Sequence, residues 1–214
     1  MHGARRAIAL VLLVCAHYAA AQAEAVFLVA KPGLPDPNFR ESVVLVRHDE
    51  SGESAGVIIN RPTDRSLASI LPAERFKRFT EPVYFGGPVM SQALVAVYRA
   101  EKRVGDSITM LPGLHLALQA SAVDELIQSP PPTMRFYMGF SGWGPGQLRA
   151  EIDRGDWFVL NADADSVFTS DPKGLWGRLV RMARTITAGI TASPRTAFYS
   201  TTWVPSSITR FGGS

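Results

Sequence analysis

DPNFRESVVLVRHDESGESAGVIINRP, Asp36 to Pro62, is the stretch that decides the fold. Two dense apolar runs, Val43–Val46 and Val57–Ile59, flank a short polar segment. Val and Ile are stiff at their first side-chain torsion and suit a pleated surface. Four apolar residues in a row favour a strand covered on both faces over a half-wet one. Asp49, Glu50, Ser51 and Gly52 supply turn chemistry, with glycine free to take positive φ. Asn60-Arg61-Pro62 is expected to stop the second run, because proline cannot donate to a ladder. The stretch therefore reads as two neighbouring strands of a core sheet joined by a turn.

Length and composition allow a core large enough to hold such a sheet. The chain has 214 residues, 46% apolar and 19% charged, which suits one folded domain with extras. Its start has a different character. Arg5 and Arg6 precede the apolar run Ala7–Ala16, and Ala21-Gln22-Ala23 follows in the A-x-A pattern. This predicts a secretory signal peptide over 1–23, cleaved after Ala23, because the run is about half of the ~20 residues that a membrane span needs. The expected location is the periplasm or the exterior, with no stable membrane span left after cleavage. Should the apparent signal be an annotation artefact, the alternative is the cytoplasm.

The first 23 residues carry Arg5, Arg6 and no acid. Cleavage thus reduces 22 basic residues to 20 against 19 acidic ones, a net of +1. A near-neutral domain lacks the bulk field of a nucleic-acid binder, so nucleic acid is not an expected partner. The single cysteine, Cys15, leaves with the signal, which excludes an intramolecular disulfide. His48 and His115 alone remain, which speaks against structural zinc. No metal and no cofactor is expected.

Further strands are predicted at Val26–Ala30, Val83–Phe85, Leu94–Tyr98, Asp106–Leu111, Leu114–Leu118, Met134–Phe140 and Trp157–Leu160. Short helical pieces are expected at Leu67–Leu71 and Ala73–Phe79. A helix from Ser121 to Gln128 should be capped by Ser121 with Asp124 as its partner. Another should run from Gln147 to Arg154 and stop at Gly155. Leu175–Thr187 reads as an amphipathic helix with Leu175, Leu179, Met182, Ala183 and Ile186 on one face. Arg178, Arg181 and Arg184 fall on the other. The domain is expected to span 24–187, with a Ser/Thr-rich extension over 188–214 that either stays disordered or docks as a strand.

Four blocks then join up: FLVAKPGLPDPNFRESVVLV (Phe27–Val46), GVIINRP (Gly56–Pro62), VYFGGPV (Val83–Val89), and GFSGWGPGQLRAEI with DWFV across Gly139–Val159. Their order and spacing resemble the YqgE/AlgH family from about Val26 to Arg184. The resemblance implies an α/β domain of the α+β type. Its sheet would be bifurcated and mostly antiparallel, curling into a pseudo-barrel flanked by helices. The family's "transcriptional regulator" label comes without a known DNA-binding module or established catalytic residues. Members are usually cytoplasmic and end near the position of Arg184, so the signal and the tail depart from the pattern.

Two residue sets are candidates for function. Asp36, Asn38, Arg40, Asn60 and Arg61 lie at the ends of the two central strands. If those ends meet, Arg61 can pair with Asp36 or with a ligand carboxylate or phosphate. The plainer reading, which we prefer, is loop tethering with Asx turns and one ion pair. Ser141, Gly142, Trp143, Gly144, Gly146 and Gln147 form a candidate loop leading into a helix amino end, where free N–H groups attract anions. The preferred reading there is a buried tryptophan that anchors a turn. Trp143 stands where a nucleophile elbow around Ser141 needs glycine. His48-Asp49 reads as a solvated turn. Asp163-Ala164-Asp165 fails the EF-hand pattern, because Phe168 stands in the glycine position, and reads as turn or helix-cap aspartates.

With no catalytic set and many structural Gly, Pro and Trp residues, the expectation is a non-enzymatic, exported domain that binds a protein or small-molecule ligand. The alternatives are a cytoplasmic regulator and an enzyme using the Asp36/Asn60/Arg61 cluster.

Overall fold

The two apolar runs do pair as neighbouring antiparallel strands. In the computed structural model β1 (Val26–Ala30), β2 (Val43–His48), β3 (Ser54–Ile58) and β4 (Pro62–Ser66) lead into the one-turn helix α1 (Leu67–Ile70). A 3-10 turn at Glu74–Phe76 precedes β5 (Pro82–Phe85), β6 (Val89–Arg99), β7 (Ile108–Leu111) and β8 (Leu114–Ala117). Helix α2 (Ala120–Gln128), β9 (Met134–Trp143), α3 (Gln147–Arg154), β10 (Trp157–Asn161), α4 (Ala164–Val167) and α5 (Pro172–Ala192) complete the chain. The structure describes residues 25–49, 51–71 and 73–192, the last four by backbone only. The signal segment and residues 193–214 of the expected extension lie outside the described residues.

The strands form one mostly antiparallel sheet in the order β10-β1-β2-β3-β9-β6-β8-β7, with β4 and β5 off this path. β9 is where it forks. One edge of β9 pairs with β6 from Met134 to Phe140. The other edge takes β5 in parallel at Tyr137 and Met138, then β3 at Ser141–Trp143. Gly139 sits at the switch with φ 69°, and a Cβ there would lie 2.4 Å from the Gly87 carbonyl oxygen. Only glycine permits both that backbone angle and that approach. The sheet also curls. The Ala25 N–H donates to the Met110 oxygen at 3.0 Å, which brings the start of β1 beside β7, although no ladder forms and the sheet stays open.

Side chains alternate between two burial environments along each central strand. Phe27, Val29, Val43, Leu45, Val57, Val95, Val97, Leu116 and Tyr137 face the interior of the curl, where Leu175, Leu179 and Val180 of α5 join them. Leu28, Ala30, Val44, Val46 and Ile58 face outward against Trp143 and Trp157. Ala96, Tyr98, Ala117 and Phe136 face outward on the other half, against Val123, Leu126 and Ile127 of α2. The continuous apolar runs of the sequence reflect this cover on both faces.

Several expectations need correction. β3 already ends at Ile58, and Pro62 opens β4, pairing opposite Tyr84; proline is tolerated as the first residue of a strand. Ala73–Phe79 is helical only over the 3-10 turn. β6 starts five residues before Leu94, across a register shift with Met90 at φ 45°. Ser121 does not cap α2, which begins at Ala120 behind Gln119 with no side-chain cap. Helix α5 starts at Pro172, where the Asp171 carboxylate accepts the Gly174 N–H at 3.0 Å, and its backbone stays helical past Thr187. Its buried face is Leu175, Leu179, Val180 and Ala183; Met182 and Ile186 are 52% and 49% exposed.

Candidate functional site

The loop Asp36–Ser42 and the Asn60-Arg61 corner do meet. Asp36 forms an Asx turn, its Oδ1 accepting the Asn38 N–H at 2.8 Å. Asn60 is buried between the strands. Its Oδ1 accepts the Val43 N–H at 2.8 Å and its Nδ2 donates to the Glu41 oxygen at 2.9 Å. The Arg61 guanidinium donates to the carbonyls of Asn38, at 2.6 Å, and Arg40. It lies 5.9 Å from the Phe85 ring centroid. Burial holds Arg61 below the ordinary arginine pKa, with the Arg40 charge adding to the effect. The expected Asp36–Arg61 ion pair is not among those of the described residues; Arg61 clasps backbone carbonyls instead. Arg40, Arg61 and Lys173 share a small depression of about 460 Å³ with Pro37, Glu41 and Asn60.

The glycine-rich loop is shorter than expected. Ser141, Gly142 and Trp143 belong to β9, and Ser141 is fully buried with its hydroxyl donating to the Gly86 oxygen at 3.1 Å. Only Gly144-Pro145-Gly146 turns, with Gly146 at φ 75° ahead of α3. Trp143 and Trp157 both donate their indole N–H to Glu151 Oε2, at 2.9 and 3.0 Å. Phe39 stacks on Trp143 with centroids 5.7 Å apart and meets Trp157 edge-on at 5.6 Å. Gln147 Oε1 accepts the Gly144 N–H at 3.2 Å and its Nε2 donates to Glu151 Oε1 at 3.1 Å. Tryptophan anchoring is thus the work of this segment's side chains.

A larger cavity than the Arg61 depression lies elsewhere, and the sequence reading did not single it out. It is a cleft of about 1250 Å³ at the end of the curled sheet, between the β2–β3 turn, the end of β9, and β7 with the loop before it. Val89, Ile108 and Phe140 form apolar walls; Arg47, Arg103 and Ser54 contribute polar groups. Arg47 pairs opposite Ala55 and follows Val43 and Leu45 at the two-residue period, so it belongs to the interior-facing set. One of its terminal nitrogens donates to the Thr109 carbonyl. Its Nε is buried without a hydrogen-bond partner, and no carboxylate pairs with it among the described residues. Asp49 is committed to its own turn, its Oδ1 accepting from Ser51 N at 2.9 Å, Ser51 Oγ at 2.6 Å and Glu53 N at 3.1 Å. The Ser51 hydroxyl bond is the main reason its carboxyl sits below the usual range. His48 Nδ1 lies 3.0 Å from Ser54 Oγ. A usable signal was present in the sequence: an arginine in phase with the interior residues of a core strand.

Among the described residues no three His, Cys, Asp or Glu side chains come together as a metal ligand set, and no helix is long and apolar enough to cross a membrane.

The architecture defines an α+β protein built on a forked, open, mostly antiparallel sheet. A profile of the AlgH-like family matches residues 27–187, and the chain belongs to that family. A UPF0301 protein of Myxococcus xanthus is 39% identical over 160 residues, covering 72% of this chain and 87% of that protein. One of Thermobifida fusca is 39% identical over 167 residues, covering 72% and 83%. The solution structure of the AlgH protein from Pseudomonas aeruginosa superposes with a TM-score of 0.62 at 24% identity, over 83% of this chain and 97% of that one. A crystal structure of a Corynebacterium diphtheriae protein gives 0.60 at 26% identity, over 75% and 86%.

Proposed function

We propose that this chain is an exported, non-enzymatic binding module that holds a small molecule in the cleft at the open end of its sheet. What supports this is the cleft itself, a large concavity that combines apolar walls with a few polar groups. Rigid strands supply most of its lining, as suits a preformed site. The signal-like first 23 residues support export.

A thermal-shift screen of protein recovered from the producing cells tests the binding reading. Its panel would hold small acids, amines and neutral compounds. Binding to the folded form raises Tm by mass action, so at least one class should raise Tm for the native chain. It should fail to do so for Ala55→Phe, which fills the cleft. A panel in which no class acts on the native chain overturns it. Fractionation with an intact mass tests export. A chain beginning at Glu24 in the periplasmic fraction supports it, whereas full-length protein in the cytoplasm returns gene regulation to first place.

A further inference from the structure

We propose that the ligand of the cleft carries a single carboxylate on an apolar body, and that Arg47 binds the carboxylate; this rests on the small-molecule reading above. A guanidinium placed on the interior face of a strand is costly unless its charge and its N–H groups are answered. Among the described residues Arg47 has one backbone carbonyl from Thr109, a buried Nε without a partner, and no ion pair. The nearest carboxylate in sequence, Asp49, is turned onto its own loop. The missing counter-charge is what a bound anion would supply, and a carboxylate fits the planar fork of a guanidinium. The walls decide the rest of the ligand. Val89, Ile108 and Phe140 offer apolar surface beside the cation, so a short aliphatic or aromatic body has something to cover.

The rim decides the charge. Asp49, Glu53 and Asp106 stand around the opening, and all three are exposed. Against the two guanidiniums of Arg47 and Arg103 they leave the lining no surplus of positive charge. A dianion would gain from Arg47 but meet repulsion from three carboxylates on the way in. A monoanion suffers half of that repulsion and keeps the whole of the fork geometry. A carboxylate is therefore favoured over a phosphate, although both are oxyanions.

The test is an NMR titration of isotopically labelled protein with benzoate, phenyl phosphate and benzamide. Benzoate should shift the Arg47 Nε–H signal together with the amides of Thr109 and Gly142, in the millimolar range. Benzamide, the same shape without charge, and phenyl phosphate should each bind at least about tenfold more weakly. Arg47→Gln should lose at least about tenfold in benzoate affinity, while Arg47→Lys keeps part of it. Unchanged amide spectra outside the cleft establish that each variant is folded. Equal binding of benzamide, tighter binding of phenyl phosphate, or full benzoate affinity in Arg47→Gln overturns the assignment. These outcomes are distinct from failure of the broader reading, in which no compound of any charge raises Tm.

Discussion

Asn60 and Glu151 are each a single side chain that satisfies two groups on separate segments, and that makes them costly to change. Asn60 holds the Val43 N–H and the Glu41 carbonyl across 17 and 19 residues of chain. Asn60→Ala leaves a buried strand N–H without an acceptor, and should cost about 2 kcal/mol by denaturant unfolding. Glu151 accepts both indole N–H groups of the tryptophan pair. Glu151→Ala should cost about 2 kcal/mol, whereas Glu151→Gln, which keeps an acceptor, should cost less than half of that. Gly56 shows a different constraint: a Cβ would stand 2.1 Å from the Leu45 oxygen and 2.8 Å from the Val46 Cα. The obstacle is backbone, which cannot swing aside, so Gly56→Ala should cost about 3 kcal/mol. The sequence pointed to Asn60 and Arg61 as a meeting point because polar residues abut apolar runs there. Loop tethering was the preferred reading, and the hydrogen bonds are of that kind; what the sequence did not reveal is which backbone groups they reach, since these belong to a loop whose path the residues do not announce.

At the scale of elements, what was legible followed from periodicity, and what was missed followed from packing. The expected stripe on α5 included Met182 and Ile186, which lie at helical spacing from Leu179. The helix is rotated so that Val180 is buried instead, because it packs against β1 and β10 across an already curved surface. Leu179→Ala should therefore cost about 3 kcal/mol, while Met182→Ala should stay within about 0.5 kcal/mol. β4 was invisible for a related reason. PTDRS has no apolar pattern, since β4 pairs only with β5, off the main path of the sheet. The β2–β3 turn was legible, and its chemistry gives a pH dependence. The Asp49 carboxyl is held below its ordinary range by the Ser51 hydroxyl and the turn N–H groups. A depressed carboxyl stabilises the turn above its unfolded pKa of about 3.9 and loses that support as pH falls through the lower folded value. Amide exchange at Ser51 and Glu53 should accelerate over that acid range, and Asp49→Asn should remove most of the acid dependence.

For the whole molecule, the decisive fact is that one interior serves both halves of the fork. The β1–β3 half and the β6–β8 half each have an outer cluster of their own, but Val43, Leu45, Val97, Leu116 and Leu179 share the inner one. Hydrophobic runs told the strands apart; they did not tell which runs face the same interior, because a strand buried on both faces carries no preferred side in its sequence. Arg47 is the exception, a charge that marks the inner face at its open end. Sharing an interior has a thermodynamic consequence. Losing either half exposes the apolar face of the other, so neither half is stable alone and the two should unfold together. Amide signals of Leu28 and Val44 on one half, Ala96 and Leu116 on the other, and Leu179 on α5 should give the same urea midpoint. A β6–β8 half that survives after β1–β3 has melted would mean that the α2 cluster is a core in its own right, and that the fork joins two units rather than dividing one.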